Sequence, residues 1–255
     1  MEFLASIDWA QLLPFVAVGF GAQLIDGALG MAFGLINSTV LVSVLGVPPA
    51  VASASVHAVE SFTTAASGAS HVAHRNVDWR LLPRIAVPGV IGGVLGAYVL
   101  ANIDASVAKP FVMAYLAAIG LYLLLRAWRG RIEPRSPRII EPLGLAGGFL
   151  DAAGGGGWGP IVTSNLLIQG AEPRRTIGTV NTSEFFITTT VSATFFIQMG
   201  WEAFTVATLG LLAGGLLAAP LGGVLAKRVP ARPLMAAVGA LLTLTSAYTI
   251  WQAVG

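Results

Sequence analysis

Cysteine is absent from the 255 residues, which excludes disulfides, thiolate metal sites and thiol nucleophiles and leaves the redox compartment undetermined. Charge is scarce as well. Asp, Glu, Lys and Arg make up 10% of the chain, against about 25% in a soluble domain, and no water-soluble surface can be built from so few. No Gly-x-x-x-x-Gly-Lys-Ser/Thr stands in the chain, so ATP-driven transport by this chain alone is not expected. No Gly-x-Ser-x-Gly and no evident membrane-embedded Ser/His pair favours a nucleophilic enzyme. What the chain does have is apolar residues at 55% and 31 glycines, with a mean hydropathy of +0.79. Small residues let helices approach closely in lipid, where no hydrophobic force drives them together. The pI near 9.3 does not indicate nucleic acid, because the basic residues sit in short loops between apolar runs, where membrane orientation explains them. Met1 to Asp8 is acidic and lacks the basic leader of a signal peptide, so the first apolar segment is expected to stay in place.

Apolar runs bounded by charge or proline fall near 10–45, 49–73, 81–101, 108–128, 139–171, 173–199, 203–226 and 232–253. Six are close to the ~20 residues that one helical crossing needs. The first and fifth are longer, and each is interrupted by glycine beside an aspartate, at Asp26 to Gly30 and at Asp151 to Gly157. Each reads as two half-length helices joined at a break. The interruptions belong to an internal repeat. A shift of 125 lays Asp26 on Asp151, Gly34 on Gly159 and Pro48 on Pro173, and a shift of 124 lays His57 on Asn181 and Glu60 on Glu184.

Positive charge decides how the duplicates lie, since short cytoplasmic loops are enriched in Lys and Arg. If all eight segments cross once, the basic residues divide almost evenly between the two sides. If the first and fifth dip in and return, every Lys and Arg except Lys109 gathers on one side. The second arrangement is adopted. The fold expected is an all-α polytopic membrane protein of two inverted repeats, each a re-entrant, broken-helix hairpin plus three transmembrane helices, with both termini outside. Residues 1–128 form the first repeat, 129–138 a basic cytoplasmic loop and 139–255 the second repeat. Such repeats are common in secondary transporters, with the site near the midplane where broken helices meet.

Four acidic residues lie within apolar segments: Asp26, Glu60, Asp151 and Glu184. A charge there is costly and faces the protein interior or a wet cavity by default. Asp26 and Asp151 read equally as caps of the broken helix ends or as coupling groups. Glu60 and Glu184, further inside helices, read as carriers of protons or of site charge. Gly155, Gly156 and Gly157 before Trp158, and Gly30, Phe33 and Gly34 in the first half, leave backbone amides at half-helix starts, where an anion is favoured. No Lys or Arg lies outside the loops, so an anion must be held by backbone and neutral donors. Candidates are Asn37, Ser38, Ser53, Ser55, Thr163, Ser164, Asn165, Thr179, Asn181 and Thr182. The alternative for the glycines is tight packing, which covers Gly92, Gly93, Gly96, Gly214 and Gly215 well. His57 shares a helical face with Glu60, but its counterpart is Asn181, which points to hydrogen bonding and not to metal. His71 and His74 read as interfacial.

Taken together these residues resemble the TauE/SafE sulfite-exporter family, also called the toluene sulfonate uptake permeases, over roughly residues 10–253. The duplicated glycine hairpin (Gly30 to Gly34; Gly154 to Gly159), Pro48 and Pro173, Ala52-Ser53-Ala54-Ser55 and the loop Asn76-Val77-Asp78-Trp79-Arg80 carry the resemblance. It implies a multi-pass cytoplasmic (inner) membrane protein that moves sulfite, sulfonates, sulfoacetate, thiosulfate or related anions. The first hairpin lacks the consecutive glycines that the resemblance leads one to expect, which favours the second half as the tighter anion contact. The reading is therefore a secondary transporter and not an enzyme, working as an exporter by alternating access, with proton coupling as one mode. Substrate contacts are assigned to Gly30, Phe33, Gly34, Asn37, His57, Gly155, Gly156, Gly157, Trp158, Thr163, Asn165 and Asn181, and coupling to the four acids. No cofactor or metal is expected. The partners are a small anion and the bilayer, with no nucleic acid, and a homodimer is left open. The rival readings are an uncoupled anion channel, or a membrane protein delivering sulfur compounds to a cytoplasmic partner through the basic loop.

Overall fold

The computed structural model describes residues 9–29, 31–128, 138–204, 206–228 and 231–254. Among them the chain is helical throughout, with no strand. The helices are α1 (Trp9–Leu29), α2 (Phe33–Ser43), α3 (Pro49–Ala73), α4 (Leu81–Asn102), α5 (Ala105–Trp128), α6 (Glu141–Gly154), α7 (Ser164–Ile168), α8 (Pro173–Met199), α9 (Val206–Arg228) and α10 (Ala231–Val254). A π-helical turn over Gly159–Thr163 leads into α7, and a 3₁₀ turn over Gly200–Ala203 follows α8. The segment 129–138 lies, Arg138 apart, outside the described residues.

Local chemistry sets the helix ends. Pro49 and Pro173 open α3 and α8, where a missing N–H costs nothing and the fixed φ suits the first turn. Glu172 caps α8 by accepting from the amides of Arg174 (3.0 Å) and Arg175 (2.8 Å). Between α4 and α5, Asp104 accepts from the Ser106 hydroxyl and amide, which holds its carboxyl below its usual range. The two arms leading into the breaks differ in length. α1 has 21 residues and α6 has 14. α6 carries Pro142 in its first turn, where a missing N–H costs nothing.

The main packing pairs join the two halves of the chain: α1 with α9, α4 with α6, α3 with α8 and α5 with α10. Glycine makes the closest approaches. Gly144 and Gly148 lie against Ile85 and Gly89, and Gly92 and Gly96 against Leu145 and Phe149, so α4 and α6 run in the same direction. Gly210 meets Leu12 and Phe15, and Gly215 faces Gln23, so α1 and α9 also run together. Ser61 faces Ser192 while Ser67 bonds Asn181, so α3 and α8 are antiparallel. Gly34 lies near Glu60, while Ser38 and Ser53 both lie near Gly155, so α2 runs back against α3.

The outer surface is apolar. Phe111, Ile197 and Leu244 are each at least 70% exposed, and lipid is the solvent such a surface requires. α4 and α5 are each long and apolar enough to cross a membrane. α3 and α8 are as long but turn Ser53, Ser55, His57, Glu60, Thr64, Thr179, Ser183 and Thr188 into the protein. Exposed tryptophans mark both rims, with Trp79 and Trp128 at one end and Trp201 and Trp251 at the other, the positions where indole sits between lipid and water. Hydrogen bonds from Arg174 to Asn76, Arg84 to Glu141, and the Arg138 amide to Gln169 gather the basic residues at the Trp79 end.

Candidate functional site

Each break is organised by its aspartate. After α1, Asp26 Oδ1 accepts from the amides of Ala32 (2.6 Å) and Phe33 (3.1 Å), the first donors of α2. After α6, Asp151 Oδ1 accepts from the Trp158 amide at 2.8 Å. Phe33 and Trp158 are counterparts at the shift of 125, so the two caps are the same device. A carboxylate on a helix start satisfies donors that have no partner within the helix and complements the dipole. The consequence for the expected anion cradle is direct: these amides already hold a carboxylate of their own chain. The second break needs glycine for its backbone, since Gly155, Gly156 and Gly157 have φ of 74°, 142° and 134°, which L side chains rarely adopt. Gly156 rests against the backbone of Gly34 and Leu35, so the two hairpin tips touch. Gly30 lies outside the described residues.

The second hairpin is pinned to the first half. The Ser38 hydroxyl donates to the Gly155 carbonyl, Ser53 to the Ala152 carbonyl at 2.7 Å and Tyr115 to the Gly156 carbonyl at 2.9 Å. His57, fully buried, sits between the Ser53 carbonyl (2.8 Å from Nδ1) and Asp151 Oδ2 (3.1 Å from Nε2). Both neighbours are oxygens, so the His57 and Asp151 pair needs a hydrogen on each side of the ring. Ser53 Oγ also lies 3.2 Å from His57 Nδ1. This Ser/His contact was not evident in the sequence, and its hydroxyl is enclosed and committed to the Ala152 carbonyl. Trp158 is buried, with its indole donating to the Val180 carbonyl at 3.2 Å.

A cavity of about 280 Å³ opens beside the touching tips. Its walls bring together seven of the residues assigned in the sequence to substrate contact or coupling: Asp26, Phe33, Gly34, Glu60, Gly157, Asn181 and Glu184. Asn37, His57, Asp151, Gly155, Gly156, Trp158, Thr163 and Asn165 are not on its wall. The reason is visible for each amide side chain: Asn37 donates back to the Phe33 carbonyl and Asn165 to the Ile161 carbonyl, one turn earlier in their own segments. Gln23, Thr63, Thr64, Ser67 and His71 line the cavity without having been singled out as ligands. The signal for four of them was present, because Thr63, Thr64, Ser67 and His71 follow Glu60 at helical spacing on one face of α3. Asp26, Glu60 and Glu184 share this wall, and among the described residues no Lys or Arg lines it. Among the described residues no group of three His, Cys, Asp or Glu could hold a metal ion.

The family profile described as "Sulfite exporter TauE/SafE" matches residues 15–249. The chain belongs to the TauE/SafE sulfite exporter family. As a TauE/SafE protein it is a membrane transporter and not an enzyme, and its helices form a multi-pass assembly in the cytoplasmic membrane. A relative from Bacillus subtilis (strain 168), the "Probable membrane transporter protein YtnM", is 42% identical over 249 residues, covering 94% of this chain and 83% of its own length. No solved structure matches the TauE/SafE chain described here.

Proposed function

We propose that this transporter exports a small sulfur-containing anion, of the size of sulfite, a short sulfonate or sulfoacetate, by alternating access and together with protons. The observation that carries the reading is the cavity itself: three carboxyl groups, Asp26, Glu60 and Glu184, on a wall to which no described Lys or Arg contributes. Like charges 4 Å apart repel by about 4 kcal/mol at an effective dielectric of 20, so an anion enters such a space only if protons enter with it. The second amide hydrogen of Asn181 and the backbone at Gly157 and Gly159 supply neutral contacts, and Glu60 and Glu184 carry the protons. The export direction is taken from the family's name.

The packing supports an inverted duplication. With α3 taken as running towards the basic end, α1 and α5 run the same way and α4 opposes them, while α6, α8 and α10 run against their counterparts and α9 along with α1. Thr64 and Thr188, which are repeat mates at the shift of 124, face each other at 3.4 Å, as residues on a twofold axis do. Gly120 and Thr243 meet similarly across α5 and α10. In this reading α1 with α2 and α6 with α7 are re-entrant hairpins entering from opposite faces, and the basic end is cytoplasmic. The cavity wall reaches Ile177 and His71 towards that end, and no described residue of the Trp201 end lines it. One-sided access favours a carrier over an uncoupled channel.

Reconstitution in liposomes tests the coupling. Glu60→Gln with Glu184→Gln is expected to abolish the dependence of sulfite flux on an imposed pH gradient. Flux that still follows the gradient removes the assignment of protons to these two groups.

A further inference from the structure

The loop Asn76 to Arg80, prominent in the sequence, has no part in the transport scheme above, yet its first residue touches His71, a residue of the cavity wall. Arg174 Nε donates to Asn76 Oδ1 at 2.7 Å. A guanidinium can only donate, so this contact fixes which end of the Asn76 amide is oxygen. The other end, Nδ2, then faces His71 Nδ1 at 3.4 Å. An amide nitrogen also only donates, so Nδ1 must accept, and the hydrogen of a neutral imidazole is placed on Nε2. Turning the amide over would set Asn76 Nδ2 against the guanidinium and leave both groups donating to nothing.

Asn76 is held in this place from several directions. Its amide donates to the His71 carbonyl at 2.9 Å, closing the end of α3. Gly178 on α8 lies directly against its backbone and Cβ, where a side chain would collide. His71 itself stands on the cavity wall, three turns along α3 from Glu60 and on the same side as Ser67 and Asn181. Ser67 spends its hydrogen on Asn181 Oδ1 at 3.2 Å and Asn181 donates to the Ile177 carbonyl at 3.1 Å, so this part of the wall has few donors left.

We infer that His71 is an anion-binding residue at the cytoplasmic mouth of the cavity, presenting a fixed Nε2–H to an oxygen of a sulfite-like oxyanion, and that Asn76 and Arg174 are the positioning residues that set this tautomer. A neutral donor suits the place. It binds an oxyanion without setting a full positive charge beside it, and a substrate that has to leave is better held by a hydrogen bond than by an ion pair. The identity of the ligand rests on the transport reading above; the tautomer does not.

Two measurements on the full chain in liposomes separate these parts. With ¹⁵N-labelled histidine, the His71 resonances, assigned by their loss in His71→Gln, are expected to show a bare Nδ1 and a protonated Nε2 in mildly alkaline buffer. Asn76→Leu is expected to mix the tautomers while the His57 signals, which report the fold, stay in place. A wild-type His71 protonated at Nδ1, or an unchanged pattern in Asn76→Leu, overturns the positioning role. Titration with sodium sulfite is expected to show about tenfold weaker binding for His71→Leu, the effect of one hydrogen bond to a charged group. His71→Gln, whose amide nitrogen reaches the position of Nε2, is expected to bind within about threefold of wild type. Equal losses in the Leu and Gln variants overturn the anion contact. A correct tautomer with no sulfite binding in the wild type overturns the ligand class and, with it, the transport reading, while leaving the Asn76 relay standing.

Discussion

The two hairpins use the same cap and put it to different ends. Asp26 and Asp151 both turn one carboxyl oxygen onto the first amides of the following helix. The second oxygen separates them. In Asp151 it meets His57, inside a region where Ser38, Ser53 and Tyr115 also hold the hairpin. Asp26 instead stands on the cavity wall, and Asn181, the counterpart of His57, bonds Ser67 and leaves Asp26 alone. A duplicated element has thus divided its work. One copy is built into the scaffold, and the other keeps a carboxyl on the cavity wall.

The comparison breaks most completely if the hairpins do not enter from opposite faces. The cysteine-free chain makes that an all-or-none experiment. Leu45→Cys, after the first hairpin, is expected to react with a membrane-impermeant maleimide on intact cells. Ala171→Cys, after the second, is expected to react only once the membrane is opened. Labelling of both from one face removes the inverted arrangement and the shared pocket together.

Next in size is the contrast between the two aspartates. Asp151→Ala leaves His57 and the Trp158 amide buried without their partner, and breaking a buried pair in this way costs about 3–5 kcal/mol. Asp26→Ala loses a cap beside an open cavity, worth about 1 kcal/mol. Denaturant unfolding in detergent is therefore expected to show a severe loss for Asp151→Ala and a mild one for Asp26→Ala, with the mild variant still losing sulfite flux. Equal destabilisation would mean that the His57 contact contributes little and that the hairpins are alike after all.

Much of this contrast was legible in the chain before its fold. The shift that lays Asp26 on Asp151 needs only the residue order, and an acid beside glycines within an apolar run announces a broken helix. The bias of Lys and Arg towards one side foresaw the gathering of Arg84, Arg138 and Arg174 at one end. The cavity wall was harder to see. Amides at a glycine break look open in sequence, because nothing there tells whether the neighbouring aspartate has already taken them. Trp158 reads as a ligand and is instead an enclosed anchor bonded to Val180, since which way a bulky residue points after three left-handed glycines depends on backbone geometry. His71 reads as interfacial by its distance from the segment's centre. Its helical phase with Glu60 placed it on the cavity side, and that spacing was available.

The smallest expected effect concerns how the long polar helices end. α8 closes on Gly200 with φ of 68°, while α3 closes through Arg75 with φ of 56°. Both are left-handed, but only glycine adopts that backbone without strain. The left-handed region costs a non-glycine residue about 1–2 kcal/mol, and glycine gives back about 0.5–1 kcal/mol through the greater freedom of the unfolded chain. Arg75→Gly is therefore expected to raise stability by about 0.5 kcal/mol, read in the same unfolding experiment. Arg75 stands at the basic end, where its charge favours the cytoplasmic side, and that end already holds Arg80, Arg84 and Arg174. The orientation of the protein is expected to survive the change, with Leu45→Cys labelling as before. A loss of stability instead would mean that the Arg75 side chain holds the turn leading to Asn76, and would move the difference between the halves from backbone strain to a contact specific to α3.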